Sequence, residues 1–451
     1  LKEEFRKIGA AKETGWSRIS IDNPTYLTYA GGDVILGSRL EAIQSEILRT
    51  MGVGKLMEYE HVLARICAVM QRRGIVLDQE YVSKLDDKLA EEFEHYSAIA
   101  RKYGVTSVNS SDQVAAALIG SGVELKEKTD AGAWKVDKSV LTRLSGLTLQ
   151  GEDIEGAQRN ELAYSVYRAK RAGKWRSAYV ETFRETVDAN GRIHPHINSL
   201  QARTARMSIT RPALQTLPSS DWMIRRAFMA DQGERWFSVD FKAVEMRVLA
   251  ALADVRRMKE AIAAGLDLHD VTTELVYGKE FTKKQRKICK GVGFGKVFGG
   301  GVDSISHLTG APAADVKYAL EAYDRIYPEV KRTSRRWQRE ARARGFVTVT
   351  VTGRHLPLDI KRAYAVVNYQ VQSAARDVLG QSLVNMDEAG LLPYLRLPIH
   401  DEVVGSVPER EAEEILKEIQ RCMTMDLGGV PIEADPELGG LTWGSLYGAT
   451  V

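Results

Sequence analysis

The sequence predicts an α+β fold in which a sheet domain is interrupted by long helical insertions. Three observations lead there. Strand-like runs (ANGRIHPHINSL, ERWFSVDF and LRLPIHDEVVGSV) lie before, between and after helical blocks. Two of these runs carry hairpin signals, Asn190-Gly191 in the first and a polar tip in the last. The composition is ordinary for a globular chain, 44 % apolar and 27 % charged over 451 residues, which excludes a disordered or collagen-like polymer.

The elements follow in chain order. Residues 39–73 read as helix, with Val62, Ile66, Ala68 and Met70 as an apolar stripe and Gly74 as the stop. IVLDQE starts a new element. Residues 79–104 read as a long amphipathic helix around Leu85, Leu89 and Phe93. The chain then turns Ser- and Gly-rich to about 135, with a helix N-cap at 109–111. A second helical run at 153–187 carries Arg168, Lys170, Arg171, Lys174 and Arg176, a solvated face when taken alone. ERWFSVDF is a strand, and KAVEMRVLAALA switches to helical period. From 259 to 345 the pattern is helical, with basic clusters at 283–296 and 331–344. GFVTVTVTGRHLPL reads as strand, turn and strand, 362–390 as a long helix, and LRLPIHDEVVGSV as a hairpin.

Charge and composition leave the partner open. Lys and Arg number 63 and Asp and Glu 60, a net charge of +3, so only the distribution of charge is informative. Cys67, Cys289 and Cys422 are far apart, which argues against a zinc site or disulfide framework and for a reducing compartment. His194 and His196 share a strand face, but no third ligand is nearby in sequence. No run is long and apolar enough for a membrane-spanning helix. The opening LKEEFRKIGA has neither an initiator Met nor a signal core and reads as an internal fragment.

Phosphate loops fail on spacing. GVGFGKVFGGG does not match GxGxxG, because Phe298 stands where the third glycine belongs, and Gly295-Lys296 is followed by Val297 rather than Ser or Thr. Three other segments carry chemistry together. In SVDFKAVEMR, Asp240 ends an apolar strand and Glu245 follows on the first turns of a helix; alone, Asp240 reads as a cap, and a buried carboxylate there needs a partner or a metal. In RKICKGVGFGKVF, Arg286, Lys290, Phe294 and Phe298 recur every fourth residue, so one helix side offers two cations and two aromatics, suited to a triphosphate and a base. Three glycines in five residues cost such a helix about 1 kcal/mol each, so stability alone does not explain them. In PIHDEVV, His400, Asp401 and Glu402 sit at the hairpin tip, a polar turn if taken alone. Carboxylates from two strand ends beside a basic helix fit a two-metal phosphoryl-transfer site, with hard oxygen ligands favouring Mg²⁺ or Mn²⁺.

In this order the segments resemble family A DNA polymerases, the bacterial DNA polymerase I type. DFKAVEMRVLAAL resembles motif A (DYSxxELR), RKICKGVGFGKVFGG motif B (RxxxKxxxFGxxYG) and IHDEVV motif C (xHDEL). TARMSITRPALQTLP, VTGRHLPL and NYQVQSAARDVL are similar to three further segments of that family, TGRLSSxxPNLQNIP, TxxGRRRxLP and NxPxQGxAADI. The series spans about 55–451. The resemblance implies a right-hand architecture: an antiparallel-sheet palm at 55–78, 190–258 and 370–451, a helical thumb at 79–189 and helical fingers at 259–369.

It also implies roles. Asp240 and Asp401 match the metal-binding carboxylates, with the Phe241 backbone carbonyl as a further ligand, and Glu402 a neighbouring acid. Arg286 and Lys290 match triphosphate ligands, Lys290 also being the general acid for departing pyrophosphate. His269 matches a fingers histidine near the phosphates, Glu245 the steric gate against a ribose 2′-OH, Phe294 the residue beside the sugar and Phe298 the one at the templating position. Arg206, Gln215, Asn368, Gln372 and His400 match primer and template contacts, and the stretch around Lys174 would grip duplex phosphates. Minor-groove acceptors are shared by all base pairs, so such contacts test pair geometry without reading sequence. The implied cofactor is a pair of Mg²⁺ ions, replaceable by Mn²⁺. The implied partners are primer-template DNA and dNTPs, for a cytoplasmic monomer of phage or bacterial origin with no obligatory processivity partner.

Departures from the pattern fall on sugar and template contacts. Phe298 replaces a Tyr, which removes a hydroxyl from Glu245; Gly293 replaces a larger residue; Lys242-Ala243 replace Ser-Gln; Ser220 stands where Arg is common. Tyr29 and Asp33 in TYLTYAGGDVILG resemble the last motif of a 3′–5′ exonuclease, YxxxD, so 1–54 reads as a remnant of that domain without proofreading activity. A single-subunit RNA polymerase is the nearest rival and is disfavoured by Glu245. A metal-dependent nuclease would not need the Arg286–Phe298 helix, and a silent DNA-binding scaffold would not need Asp240, Asp401 and Lys290.

Overall fold

The computed structural model describes residues 1–129, 131–149, 151–218 and 222–449, with backbone alone at 12 and 13. Ser220 lies outside the described residues. The chain forms two compact units, Leu1–His61 and Val62–Val451.

The first unit is helical: α1 (Lys2–Lys7), α2 (Lys12–Arg18) and α3 (Pro24–Thr50). Asn23 caps α3 by accepting from the Tyr26 N–H at 3.1 Å, and Pro24 fits the first turn, which has no use for its missing N–H. Tyr29 and Asp33 lie one turn apart on α3, where the phenol donates to the carboxylate and is pushed up by it.

The boundary falls within α4 (Gly54–Arg73), which ends at Gly74 in a left-handed conformation. A short strand β1 (Ile75–Leu77) leads to α5 (Gln79–Lys102), capped by Asp78. The helices α6 (Ser111–Gly120, capped by Ser110), α7 (Lys138–Leu144) and α8 (Glu161–Trp175) complete a helical block. Its core includes Val114, Leu118, Leu141, Leu162 and Val166. The expected helix at 153–187 starts only at 161, because Asn160 accepts from the Ala163 N–H and sets the N-terminus there. It continues through a π-helical segment, Arg176–Glu181, into α9 (Thr182–Thr186).

Next come β2 (Arg192–Ile193), β3 (His196–Asn198), β4 (Ser208–Thr210) and β5 (Phe228–Met229); β1 pairs with both β2 and β5. β6 (Glu234–Phe241) is the long strand, and its buried Trp236 stacks on Trp443 with ring centroids 5.7 Å apart. Helices follow: α10 (Val244–Leu252), α11 (Arg256–Ala263), α12 (Leu268–Tyr277), α13 (Lys283–Phe298), α14 (Val302–Thr309), α15 (Ala313–Ile326) and α16 (Pro328–Arg344). A small hairpin, β7 (Phe346–Thr348) and β8 (His355–Pro357), precedes α17 (Val366–Glu388), which is buried along most of its length.

The second hairpin is β9 (Leu395–Ile399) and β10 (Glu402–Pro408). Then come α18 (Ala412–Met423), β11 (Met425–Asp426), β12 (Pro431–Ile432) and β13 (Ala434–Leu438). The central sheet has the order β13-β6-β10-β9, with every pair antiparallel. Gly405 sits where the β9–β10 register shifts; a Cβ there would lie 2.1 Å from the Tyr394 carbonyl oxygen, so no other residue fits. The layout matches the interrupted sheet read from sequence.

Candidate active site

The sheet brings the carboxylates together through its register. Glu402 on β10 is directly opposite Asp240 on β6, and the Phe241 N–H donates to the Asp401 carbonyl at 3.1 Å. Two segments far apart in sequence are thus joined by backbone hydrogen bonds at the residues that matter. Asp240 keeps part of its surface exposed, while Asp401 and Glu402 are half-buried. Neither aspartate has an ion-pair partner among the described residues. Loss of hydration, then the charges of Asp401 and Glu402, push the Asp240 carboxyl up to about 7. Burial also raises Asp401 and Glu402. Glu402 is held by the Ser238 hydroxyl, which donates at 3.0 Å.

The local backbone is strained around these groups. Ala205, Ala243 and His400 have φ of 62°, 45° and 57°, in the left-handed region that L residues other than Gly seldom occupy. They lie within two residues of Arg206, Glu245 and Asp401. The turn at His400 presents Asp401, and the turn at Ala243 starts α10 so that Glu245 follows one residue into it.

The helix α13 presents its expected face. Phe294 and Phe298 stack with centroids 6.1 Å apart, and His269 at the start of α12 lies 5.8 Å from Phe294. Burial depresses His269, so its ring is neutral at pH 7. Lys290 is exposed with no hydrogen-bond or ion-pair partner among the described residues. Arg286, by contrast, is bound to Asp270 and lies 3.3 Å from Asp267. The glycines have a packing reason. A Cβ on Gly291 would meet Thr309 Cγ2 at 2.5 Å, and one on Gly295 would meet Ile305 Cδ1 at 2.4 Å, so α14 sits closer to α13 than side chains allow.

The expected nucleic-acid contacts divide into three groups. Arg206 and Gln215 are engaged internally: the Arg206 guanidinium is bound to Glu245, and the Gln215 side chain accepts from the Ile209 N–H at 3.1 Å. Asn368, Gln372 and His400 keep polar groups available; the buried Asn368 Oδ1 has no partner, and His400 is exposed. The basic run on α8 and the segments after it is largely ion-paired, since Arg168 and Arg171 pair with Glu92, and Arg176 and Arg184 with Asp86. That leaves Lys170 and Lys174, which line a cavity with Trp175 and Tyr179.

Sequence reading missed Ser238, Asp267 and Asp270. Period two marks Ser238, two residues before Asp240 on the same strand face. Asp270 carries no sequence signal, because its partner is on another helix.

A model of DNA polymerase family A matches residues 79–445. The DNA polymerase of Mycobacterium phage D29 is 41 % identical over 96 % of this chain and 70 % of that one. The chain belongs to DNA polymerase family A. It is a DNA-directed DNA polymerase of that family. The enzyme of Mycobacterium phage L5 is 40 % identical over the whole chain and 73 % of its own length. The DNA polymerase I of Chloroflexus aurantiacus is 28 % identical over 91 % of this chain and 46 % of that one. These identities put the chain with the phage members of family A. The fold agrees: the polymerase domain of Pol1 from M. smegmatis, solved with DNA primer-template and dNTP, superposes with a TM-score of 0.77 at 23 % identity, covering 89 % of this chain and 73 % of that one. The right-hand α+β architecture is therefore the fold of this chain.

Family A polymerases use divalent metal ions, and the site fits them in one particular way. Among the described residues no three His, Cys, Asp or Glu side chains converge as a closed metal cage would require. The crowded pair Asp240 and Asp401, with no cationic partner, instead suits Mg²⁺, which is commonly held by one or two carboxylates while substrate phosphates and water supply the rest. No helix among the described residues is long and apolar enough to cross a membrane.

Proposed function

We propose that the chain carries out template-directed DNA synthesis by two-metal nucleotidyl transfer from a dNTP to a primer 3′-OH, with release of pyrophosphate. The observation that carries this reading is the β6–β10 register, which sets Asp240 beside the Asp401 turn, where neither aspartate has an ion-pair partner among the described residues. Asp240, Asp401 and the Phe241 carbonyl would hold two Mg²⁺ ions, with Mn²⁺ able to substitute. When bound, the ions lower the pKa of the 3′-OH, orient the triphosphate and offset charge on the leaving group.

The chain's own residues do the rest. Arg286 and Lys290 bind the triphosphate, and His269, as a neutral ring, donates to it. The 3′ oxygen bonds to the α-phosphorus, the bond from that phosphorus to the α–β bridging oxygen breaks, and pyrophosphate leaves. The 3′-OH proton passes to water, and Lys290 protonates the leaving pyrophosphate. Glu402 adds negative charge beside the aspartates. Glu245 crowds a ribose 2′-OH; Phe294 packs beside the sugar and Phe298 at the templating base. Asn368, Gln372, His400, Gln215 and, once released from Glu245, Arg206 contact primer and template, and Lys174 contacts duplex phosphate.

The domain assignment belongs to the same reading: palm at 55–78, 190–258 and 370–451, thumb at 79–189, fingers at 259–369, and at 1–54 a segment of 3′–5′ exonuclease type. The relative solved with primer-template and dNTP supports DNA and dNTPs as partners, and the phage and bacterial relatives support work in the bacterial cytoplasm. We assign a monomer without an obligatory processivity partner.

Primer extension tests the reading. A primed DNA template, Mg²⁺ and dNTPs give extension that chelation and Asp401→Ala both abolish, while rNTPs give little. Extension with rNTPs alone would favour an RNA polymerase, and bound primer-template without extension a silent scaffold.

A further inference from the structure

Helix α16 carries more Lys and Arg than any other element among the described residues. Its seventeen residues carry Lys331, Arg332, Arg335, Arg336, Arg339, Arg342 and Arg344 against Glu329 and Glu340. That is a net of five positive charges on a chain whose total is +3, so the remainder is slightly acidic. The proposed chemistry uses none of these cations.

The cations are sorted by face. Val330, Thr333, Trp337 and Ala341 are buried and anchor one side of the helix. Arg332, Arg335, Arg339 and Arg342, spaced three, four and three, form a row on the opposite side. All four are exposed. None has a hydrogen-bond or ion-pair partner among the described residues. Their neighbours are engaged: Lys331 with Asp324 at 3.4 Å, Arg336 with Glu340 at 4.0 Å and Arg344 with the Thr348 hydroxyl at 3.2 Å. Four like charges in a row repel one another unless an anion joins them. At about 1.5 Å rise per residue the row is about 15 Å long, the span of roughly four phosphates at the stacked-strand rise of about 3.4 Å.

The row also lies near the templating end. Helix α16 packs on the 3₁₀ segment Ile360–Ala365, whose Lys361, Arg362 and Tyr364 are exposed. The Tyr364 ring lies against Gly299, the C-cap of α13 directly after Phe298. An exposed aromatic between a cation row and the templating residue suits a single strand, which needs a phosphate track and a surface on which bases stack. An acidic protein segment would not call for the aromatic.

We propose that the Arg332–Arg335–Arg339–Arg342 face of α16 holds the phosphates of the single-stranded template arm as it approaches Phe298. This rests on the polymerase reading, under which Phe298 stands at the templating base.

Binding of primer-templates with a 2-nucleotide or a 20-nucleotide 5′ overhang, followed by fluorescence anisotropy across a salt series, tests it. The wild-type chain binds the long overhang more tightly and with a steeper salt dependence. Replacing all four arginines by Gln removes that advantage and lowers the slope by about 0.7 per arginine, roughly three in all. Affinity for the short overhang and extension of it stay at the wild-type level, which shows that the variant is folded. Replacing the four by Lys retains the advantage. A Gln variant that keeps the full overhang advantage overturns the proposal. So does loss of polyglutamate binding with the overhang advantage unchanged, which would assign the face to an acidic protein. If the wild-type chain extends neither substrate, the polymerase reading fails instead.

Discussion

Arg286 on α13 is ion-paired with Asp270 on α12, and Asp267 lies behind it at 3.3 Å. The guanidinium expected to meet the triphosphate therefore begins in a carboxylate cradle, while Lys290 on the next turn is unengaged. Asp267 is committed as the N-cap of α12, accepting from the N–H groups of His269 and Asp270 at 2.8 and 2.9 Å. Asp270 has no such duty. A dNTP must displace it, so Asp270→Asn is expected to lower the KM for dNTP up to about fivefold with kcat little changed, since a partly exposed ion pair is worth about 0.2–1 kcal/mol. Steady-state single-nucleotide incorporation measures this. An unchanged or raised KM counts against it.

Glu245 is bound to Arg206 in a chain where Phe298 removes the tyrosine hydroxyl expected to hold it. Arg206 thus holds Glu245, the proposed gate, in the absence of DNA. Phe298→Tyr is expected to raise the preference for dNTPs over rNTPs, and Glu245→Ala to lower it about tenfold or more, because the steric block is removed. Competitive incorporation gives both ratios; a ratio unmoved by Phe298→Tyr would remove the hydroxyl from the account.

The glycines of α13 are expected to behave differently from one another. Gly295→Ala drives its Cβ into Ile305 and should cost about 1–3 kcal/mol by overpacking. At Gly293 the nearest atom to a new Cβ is Met246 Cε at 3.4 Å, an ordinary contact. Gly293→Ala should be neutral or stabilising by up to about 1 kcal/mol, through helix propensity. Chemical denaturation of the two variants, side by side, decides.

Asp240 gives the metal-free protein a pH dependence. Its folded carboxyl is raised to about 7, above the ordinary carboxylate range. Between those values the folded chain holds a proton that the unfolded chain has lost. The stability tied to this group is full at acid pH and is lost as pH rises toward 7. With chelator present, Asp240→Asn is expected to stabilise the chain at pH 8 by about 1 kcal/mol, because water at the open carboxylate screens most of the repulsion, and to change little at pH 5. Thermal denaturation at both values checks this. Equal effects at pH 5 and pH 8 would contradict it.

The parts of the fold and site that were legible in the sequence are those set by local period. Period two and a polar tip marked β9, β10 and Asp401, and a fourfold recurrence marked the Arg286–Phe298 face. What was not legible depends on partners distant in sequence. The basic run on α8 looked solvated or free for DNA, yet Glu92 and Asp86 on α5 neutralise much of it. The glycines of α13 looked costly until α14 was seen packed against them. Ala205 and Ala243 adopt left-handed backbone that alanine gives no cause to expect, because the surrounding sheet and helix ends impose it.

Ser238 and Glu402 are separated by 164 residues of chain, which gives the β6–β10 pairing a consequence for how the enzyme is made. A ribosome that has passed α17 has already produced all of α13, but Asp401 and β10 do not yet exist. The long loop must be closed by late-arriving chain before the two aspartates meet. The proposed catalytic pair therefore meets only after β10 has been made, and a polypeptide that stops before Asp401 lacks one of its two aspartates.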